Sequence, residues 1–369
     1  MARTSRAWIA TILAFALAQY ASVSAEAADW QEGAGPEWRK VLSAAKQEGT
    51  VAVSGPPQLA TAISEGFLRD TGIPLQYLAG EARTTSSRLA RELRANNVTV
   101  DATLTGMVEL PLVKNGFFED VRARLLLPGV TDPKNWADGQ LKFNDNAKRF
   151  MLQTHAYRSS VPFYNANLIK PTEFTSWQKL LDPKLKGKIV AYDPRSGGPG
   201  QAMSTYIGAQ FGLDFLKKVY VGQEVVYSLD SRQMAEWVVR GIHAVGLGIL
   251  TPDYLKFRDA GMNNIVPADL ADGPGTLSGG FSVILLPKGP PHPNAATVFL
   301  NWYASQPGQE AFSRAFKVPS RRTDVNVEGV PDYTIPTPGR TYHDQYNEDW
   351  AATGRPIIQK QVMEIVGGK

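Results

Sequence analysis

Residues 188–206 read KIVAYDPRSGGPGQAMSTY. The apolar run 188–192 predicts a buried strand. The glycines after it predict a loop that turns into a helix near Gly200. This strand, loop and helix form one half of a βαβ unit.

The unit recurs along the chain. Apolar runs predict strands at residues 50–54, 73–79, 101–104, 188–192, 224–228, 243–250 and 281–287. Helical spacing of apolar residues separates them, as in the segment that begins at Pro36 and ends before Gly49. Gly80 opens a loop, and Ser86 is expected to cap the next helix. Strands alternating with helices predict a doubly wound α/β fold.

Two extended segments divide the chain. Residues 150–164 predict a crossover from one domain to another, and residues 281–287 predict the return. We therefore expect two α/β lobes joined by crossover strands. The first lobe comprises residues 28–155 plus about 280–369, and the second comprises residues 156–279. The length suits two domains.

The N-terminal residues predict a signal peptide. Arg3 and Arg6 precede an apolar run, 7–18, that is too short to span a bilayer. Small residues after Val23 offer a cleavage site, so residues 1–27 are expected to be removed. The alternative is an uncleaved membrane anchor. Cleavage predicts a soluble periplasmic protein.

Composition excludes several classes of function. The chain has no cysteine, which removes disulfides, thiolate metal sites and a lipid-modified cysteine. A net charge of +4 with both signs mixed along the sequence is not typical of a nucleic-acid binder. The sequence lacks the local motifs G-x-S-x-G, G-x-x-x-x-G-K-[ST] and H-E-x-x-H. We expect no catalytic residue and no cofactor, with a periplasmic hydrolase as the alternative from another class.

Three segments resemble a known family. They are WRKVLSAAKQEGTVAVSG at 38–55, SWQKLLDPKLKGKIVAYDP at 176–194 and HPNAATVFLNWYASQPGQEAF at 292–312. All three are similar to the extracellular solute-binding proteins of ABC importers, in the branch of ferric-ion, thiamine and phosphonate binders. The resemblance implies a type II periplasmic-binding-protein fold whose lobes close on a ligand. It also implies a monomer that delivers a small molecule to an inner-membrane ABC permease.

The candidate ligand-binding residues lie mainly in loops that leave the predicted strands, because open α/β sheets bind ligands beyond the carboxyl ends of their strands. They are Ser54, Gly55, Arg83, Thr105, Arg158, Ser196, Gly197, Gly198, Ser231 and Tyr254.

The glycine-rich loop suits an anion. Glycines let backbone N–H groups approach a ligand, and a helix N-terminus favours negative charge. An ordinary glycine-rich connection is the alternative interpretation, and plain helix capping is the alternative for Ser231. The guanidinium groups of Arg83 and Arg158 are suited to carboxylates or phosphates. Each arginine is equally consistent with a solvated surface charge.

Iron is the rival ligand. Ferric binders of the resembled branch present two adjacent tyrosines after a strand like the one that ends at Leu250. Here that stretch contains only Tyr254. Because ferric iron prefers several phenolate or carboxylate oxygens, we expect a small organic anion and keep iron or another metal as the alternative.

Overall fold

The computed structural model describes residues 30–367, without the side chain of Arg83. The predicted signal peptide lies outside the described residues. The strands are β1 (Val51–Gly55), β2 (Leu75–Ala79), β3 (Ala102–Thr105), β4 (Lys142–Phe143), β5 (Leu152–Gln153), β6 (Tyr157–Ser159), β7 (Pro162–Asn165), β8 (Ile189–Tyr192), β9 (Val226–Ser228), β10 (Val245–Leu247), β11 (Ile265–Pro267), β12 (Thr276–Ser278), β13 (Val283–Leu285) and β14 (His343–Asp344). The helices are α1 (Pro36–Glu48), α2 (Ala60–Thr71), α3 (Ala82–Arg94), α4 (Leu110–Lys114), α5 (Pro128–Thr131), α6 (Pro199–Phe211), α7 (Leu213–Lys217), α8 (Ser231–Val239), α9 (Thr251–Asp259), α10 (Pro293–Ala304), α11 (Gln306–Phe316) and α12 (Arg355–Val366).

Two mixed sheets organise the two lobes. The six-stranded sheet of the first lobe has the order β2-β1-β3-β13-β5-β4, in which β1 pairs in parallel with β2 and β3. The five-stranded sheet of the second lobe has the order β11-β7-β10-β8-β9, in which β8 pairs in parallel with β9 and β10. Each sheet has apolar clusters that include residues from helices on either side. The predicted doubly wound α/β class is confirmed.

A third, small sheet joins the lobes. Strand β6 pairs antiparallel with β12, and β14 pairs in parallel with β12. Strands β6 and β12 each lie between strands of the two large sheets along the chain, so they are the crossover strands. Strand β14 is a further strand that the sequence did not predict.

The C-terminal residues contact both lobes. The side chains of Val362 and Val366 on α12 belong to the apolar cluster of the second lobe. This packing differs from the expectation that the whole of residues 280–369 joins the first lobe. The reason is the apolar face of α12, which covers α6 and α7. Within residues 30–367, no helix is long and apolar enough to span a membrane.

A buried carboxylate ties the first sheet to α10. Asp101 is fully buried, and its carboxylate accepts hydrogen bonds from the backbone N–H groups of Ala52 (2.7 Å) and His292 (2.6 Å). The ring Nδ1 of His292 lies 2.9 Å from the same carboxylate. One side chain therefore fixes the start of β1, the approach to β3 and the entry to α10.

We expect Asp101→Ala to lower the free energy of unfolding by about 2–4 kcal/mol, because two buried N–H groups lose their acceptor. Urea unfolding followed by circular dichroism measures the change. The control is Glu236→Ala, which removes an exposed carboxylate paired with Arg240 at 3.1 Å and is expected to cost at most about 1 kcal/mol. Equal losses in the two variants would contradict the role given to Asp101.

The imidazole of His155 is also fully buried, next to the crossover strand β6. Its Nε2 lies 2.9 Å from the Ser313 hydroxyl, and its ring lies on Phe312 with centroids 4.0 Å apart. Burial lowers the pKa of His155 to about 3. The folded protein therefore holds a neutral histidine at every pH at which the lobes are expected to work.

This histidine predicts a pH dependence of stability. The unfolded chain protonates His155 below about pH 6.5, whereas the folded chain does so only near pH 3. The stability that the neutral ring contributes is present above pH 6.5 and is lost as the pH falls toward 3. Between about pH 6 and 4, we expect His155→Gln to reduce the slope of unfolding free energy against pH by up to about 1.4 kcal/mol per pH unit. An unchanged slope in urea unfolding would contradict the assignment.

Candidate ligand-binding site

The candidate cleft is defined by the carboxyl ends of the parallel strands. In the first lobe, Gly55 of β1 pairs with Ala79 of β2, so these two strands end side by side. In the second lobe, β8 and β9 end together where Tyr192 pairs with Ser228. Ligands in open α/β sheets bind beyond such ends. The loops that follow these strands are therefore the candidate walls of the ligand-binding cleft.

On the first-lobe side, the predicted residues are closely packed. Ser54 and Thr105 are buried, and the Thr105 hydroxyl has no hydrogen-bond partner among the described residues. A Cβ on Gly55 would lie 2.4 Å from the Tyr77 hydroxyl, which donates to the Pro56 carbonyl at 2.9 Å. Gly55 is therefore required by Tyr77, whatever else it contacts.

The helix after β2 begins earlier than the sequence predicted. Helix α3 starts at Ala82, which places Arg83 in its first turn and makes the expected cap at Ser86 wrong. Ser86 instead donates to the carboxylate of Glu109 at 3.1 Å. Glu109 is 1% exposed, and burial raises its pKa to about 7. Sequence reasoning missed this carboxyl, because an isolated glutamate after a strand carries no local signal of burial.

On the second-lobe side, the glycine-rich loop folds back on itself before α6. The Ser196 hydroxyl donates to the carbonyl of Asp193 at 2.6 Å, and the Asp193 carboxylate pairs with Arg195 at 2.7 Å. Gly198 precedes α6 with φ 74° and ψ −134°, a conformation essentially restricted to glycine. A Cβ on Gly200 would lie 2.1 Å from the Asp193 carbonyl.

The N-terminus of α6 carries no side-chain cap. The first helical hydrogen bond there runs from the N–H of Ala202 to the carbonyl of Gly198. The backbone N–H groups of Gly200 and Gln201 therefore have no acceptor within the helix. Gly197 and Gly198 are at least partly exposed beside them, so small groups can approach this end of α6.

The structure gives Arg158 structural partners. Its side chain, 5% exposed, donates to the carbonyls of Pro274 and Ala268 and pairs with Asp269 at 2.9 Å. Burial lowers the pKa of Arg158. Asp269 also pairs with Arg340 at 2.7 Å. The guanidinium of Arg158 thus fastens β6 to the segment that leads into β12.

Ser231 and Tyr254 have structural partners as well. The Ser231 hydroxyl accepts from the backbone N–H of Leu250 at 2.8 Å, which joins the loops after β9 and β10. The cap of α8 is the neighbouring Asp230, not Ser231. Tyr254 is 2% exposed, belongs to an apolar cluster and accepts a hydrogen bond from Arg258.

Two tyrosines that the sequence did not single out lie against Gly280, which is next to Gly106 at the end of β3. The Tyr346 hydroxyl donates to the Gly280 carbonyl at 2.9 Å, and a Cβ on Gly280 would lie 2.6 Å from the Tyr157 hydroxyl. The Ser278 hydroxyl accepts from the N–H of Gly280 at 3.1 Å. Burial raises the pKa of both tyrosines. Tyr157 could have been found by strand alternation, because it faces away from its neighbour Arg158.

Comparison with known proteins identifies the family. Residues 101–345 match the family described as bacterial extracellular solute-binding protein. The chain belongs to this family. The resemblance inferred from the three sequence segments is therefore confirmed.

Relatives of this solute-binding protein are distant. It is 27% identical over 195 residues to an uncharacterized protein of Haemophilus influenzae, a match that covers 51% of this chain. The chain spans about half of that relative, 54% of its length.

Solved structures share the two-lobed type II fold. Iron-bound HitA from Pseudomonas aeruginosa has a TM-score of 0.65 at 15% identity, over 85% of this chain and 99% of HitA. AfuA from Actinobacillus pleuropneumoniae, solved with exogenous fructose-6-phosphate bound, has a TM-score of 0.64 at 17% identity, over 87% and 99%. At these identities the likeness supports the fold alone.

The backbone of the glycine-rich loop gives a prediction. We expect Gly198→Ala to lower the free energy of unfolding of this solute-binding protein by about 1–3 kcal/mol, because alanine does not tolerate the backbone angles of residue 198. The control is Gly222→Ala, at a position with open space and no positive φ, which is expected to change stability by less than about 1 kcal/mol. Urea unfolding compares the two. A loss confined to Gly222→Ala would contradict the analysis.

Proposed function

We propose that this solute-binding protein captures a small organic anion between its lobes in the periplasm and delivers it to the permease of an ABC importer. The proposal includes a signal peptide at residues 1–27, a monomeric mature protein and the absence of catalysis. Its basis is the family together with one observation, the uncapped N-terminus of α6 behind a loop of glycines.

The electrostatics of this loop favour negative charge. A helix N-terminus carries about half a positive charge, concentrated on N–H groups such as those of Gly200 and Gln201. The one carboxylate in the loop, Asp193, is neutralised by Arg195, which also holds the pKa of that carboxyl below its usual range. An anion that approaches α6 therefore meets donors and no uncompensated negative charge from the loop.

The predicted ligand-binding residues have different roles in the proposal. Ser196, Gly197 and Gly198 form the proposed anion-binding loop. Thr105 offers a buried hydroxyl without a partner in the described part of the chain. Arg158, Ser231 and Tyr254 support the cleft through their structural contacts, and Ser54, Gly55 and Arg83 remain proposed residues of the first-lobe wall.

Iron is the less favoured ligand because of Tyr254. This residue occupies the region in which the resembled ferric binders present paired tyrosines, yet its phenol is buried against Phe163 and Tyr333. Burial raises the pKa of Tyr254, which opposes the phenolate form that ferric iron prefers. HitA is described as iron-bound and AfuA as bound to a phosphorylated sugar, so this fold accommodates both classes of ligand.

A thermal-unfolding screen of the mature protein tests the proposal. The probes are fructose-6-phosphate, methylphosphonate, succinate, glucose and ferric citrate. A probe at 100 times its dissociation constant stabilises a binder by about 2.7 kcal/mol. We expect stabilisation by at least one of the three organic anions and none by glucose, with a smaller effect in Gly198→Ala. Stabilisation by glucose alone, or by ferric citrate but not by sodium citrate, would contradict the proposal.

A further inference from the structure

Arg355, at the start of α12, is a cation without a counter-charge. Its side chain is partly buried, and the described residues provide it with no ion pair and no hydrogen bond. Most arginines of this protein that are buried to this degree do have partners, as Arg158 has Asp269 and Arg322 has Asp324 at 2.6 Å. Desolvating a guanidinium without a partner costs free energy, so the exception requires a physical explanation.

The group that acts most directly on Arg355 is neutral. This group is Tyr346, whose hydroxyl donates to the Gly280 carbonyl at 2.9 Å. Burial raises the pKa of Tyr346, so it stays a phenol. Tyr346 therefore contributes a hydroxyl group and no negative charge.

The three carboxylates of residues 343–354 have partners in the first lobe. Asp344 pairs with Lys142 at 2.7 Å, and Glu348 pairs with Lys114 at 2.9 Å. The third, Asp349, accepts from the side chain of Asn146 at 2.9 Å. Each of these carboxylates thus has a partner other than Arg355.

The position of Arg355 relates it to the glycine-rich loop. One helical turn later, Gln359 donates to the carbonyl of Pro194 at 2.9 Å. On the other side of Arg355, Gln345 donates to the carbonyl of Ala202 in α6 at 3.0 Å. Residues four apart on a helix share a face. Arg355 therefore shares the face of α12 that contacts the segment leading into α6.

We propose that Arg355 supplies the counter-charge for the ligand and that the ligand carries a phosphonate or phosphate-monoester group. This inference rests on the proposed function. The guanidinium contributes one positive charge and the α6 N-terminus about half of one. A phosphate monoester carries about −1.5 to −2 at pH 7, which matches this sum better than a single carboxylate does. The planar guanidinium also matches two oxygens of such a group. A bare metal cation would be repelled.

The test compares Arg355→Met and Arg355→Lys with the wild type by isothermal titration calorimetry, using methylphosphonate, fructose-6-phosphate and succinate. We expect Arg355→Met to bind the phosphorus-containing probes about 10- to 100-fold more weakly, the loss of a charge-assisted hydrogen bond. Arg355→Lys should fall between, because lysine keeps the charge and loses the fork. The melting temperature of unliganded Arg355→Met should equal or exceed that of the wild type, since an unpaired charge is removed.

The control is Arg240→Met, which removes an exposed arginine of the second lobe that pairs with Glu236 at 3.1 Å. It should bind the probes within about twofold of the wild type, because exposed ion pairs contribute little. If the wild type binds a phosphorus-containing probe and both Arg355 variants bind it equally well, the inference is overturned and the proposed function stands. Binding of succinate but of neither phosphorus-containing probe overturns the ligand class alone. If the wild type binds none of the three anions, the proposed function fails and the inference fails with it.

Discussion

The small sheet of β6, β12 and β14 is the constraint on which the rest of the molecule depends. Strands β6 and β12 are covalent connections between the lobes, and their hydrogen bonds pair these connections between two lobes that have separate apolar cores. Because three-residue strands such as β6 alternate their side chains, this sheet also separates two kinds of chemistry. Arg158 faces the segment that leads into β12 and completes the hinge, whereas Tyr157 faces Gly280 and the cleft.

The C-terminal segment, residues 343–366, divides its contacts between the two lobes. Its acidic side chains bind lysines of the first lobe, and its glutamines bind carbonyls around α6 in the second. Because this segment contacts both lobes, its position depends on how the lobes lie relative to each other. Lobe closure would therefore change the surroundings of residues such as Tyr346, which contacts the loop after β12, and of Arg355, which begins the helix on the second lobe.

The sequence predicted the periodic parts of this structure. Strand β8, the glycine loop and the start of α6 follow from local rules, since Pro199 favours the first turn of a helix and Gly198 permits the backbone angles that precede it. It did not predict β14, because a two-residue strand has no periodic signal. Without β14, the sequence does not indicate where the last 25 residues lie. It therefore gives no signal that distinguishes Arg355 from an arginine at the surface. The partners of Arg158 were equally inaccessible, since they lie more than 100 residues away in the chain.

Stability and binding place opposite demands on the two sides of the cleft. In the first lobe, Asp101 accepts hydrogen bonds from the buried N–H groups of Ala52 and His292 and so stabilises the fold. At the base of the second lobe, the N–H groups at the start of α6 and the guanidinium of Arg355 are left without protein partners in the described residues. Unsatisfied groups lower the stability of the unliganded protein, and a ligand that satisfies them recovers that free energy on binding. Under the proposed function, the same groups make closure on an anion favourable.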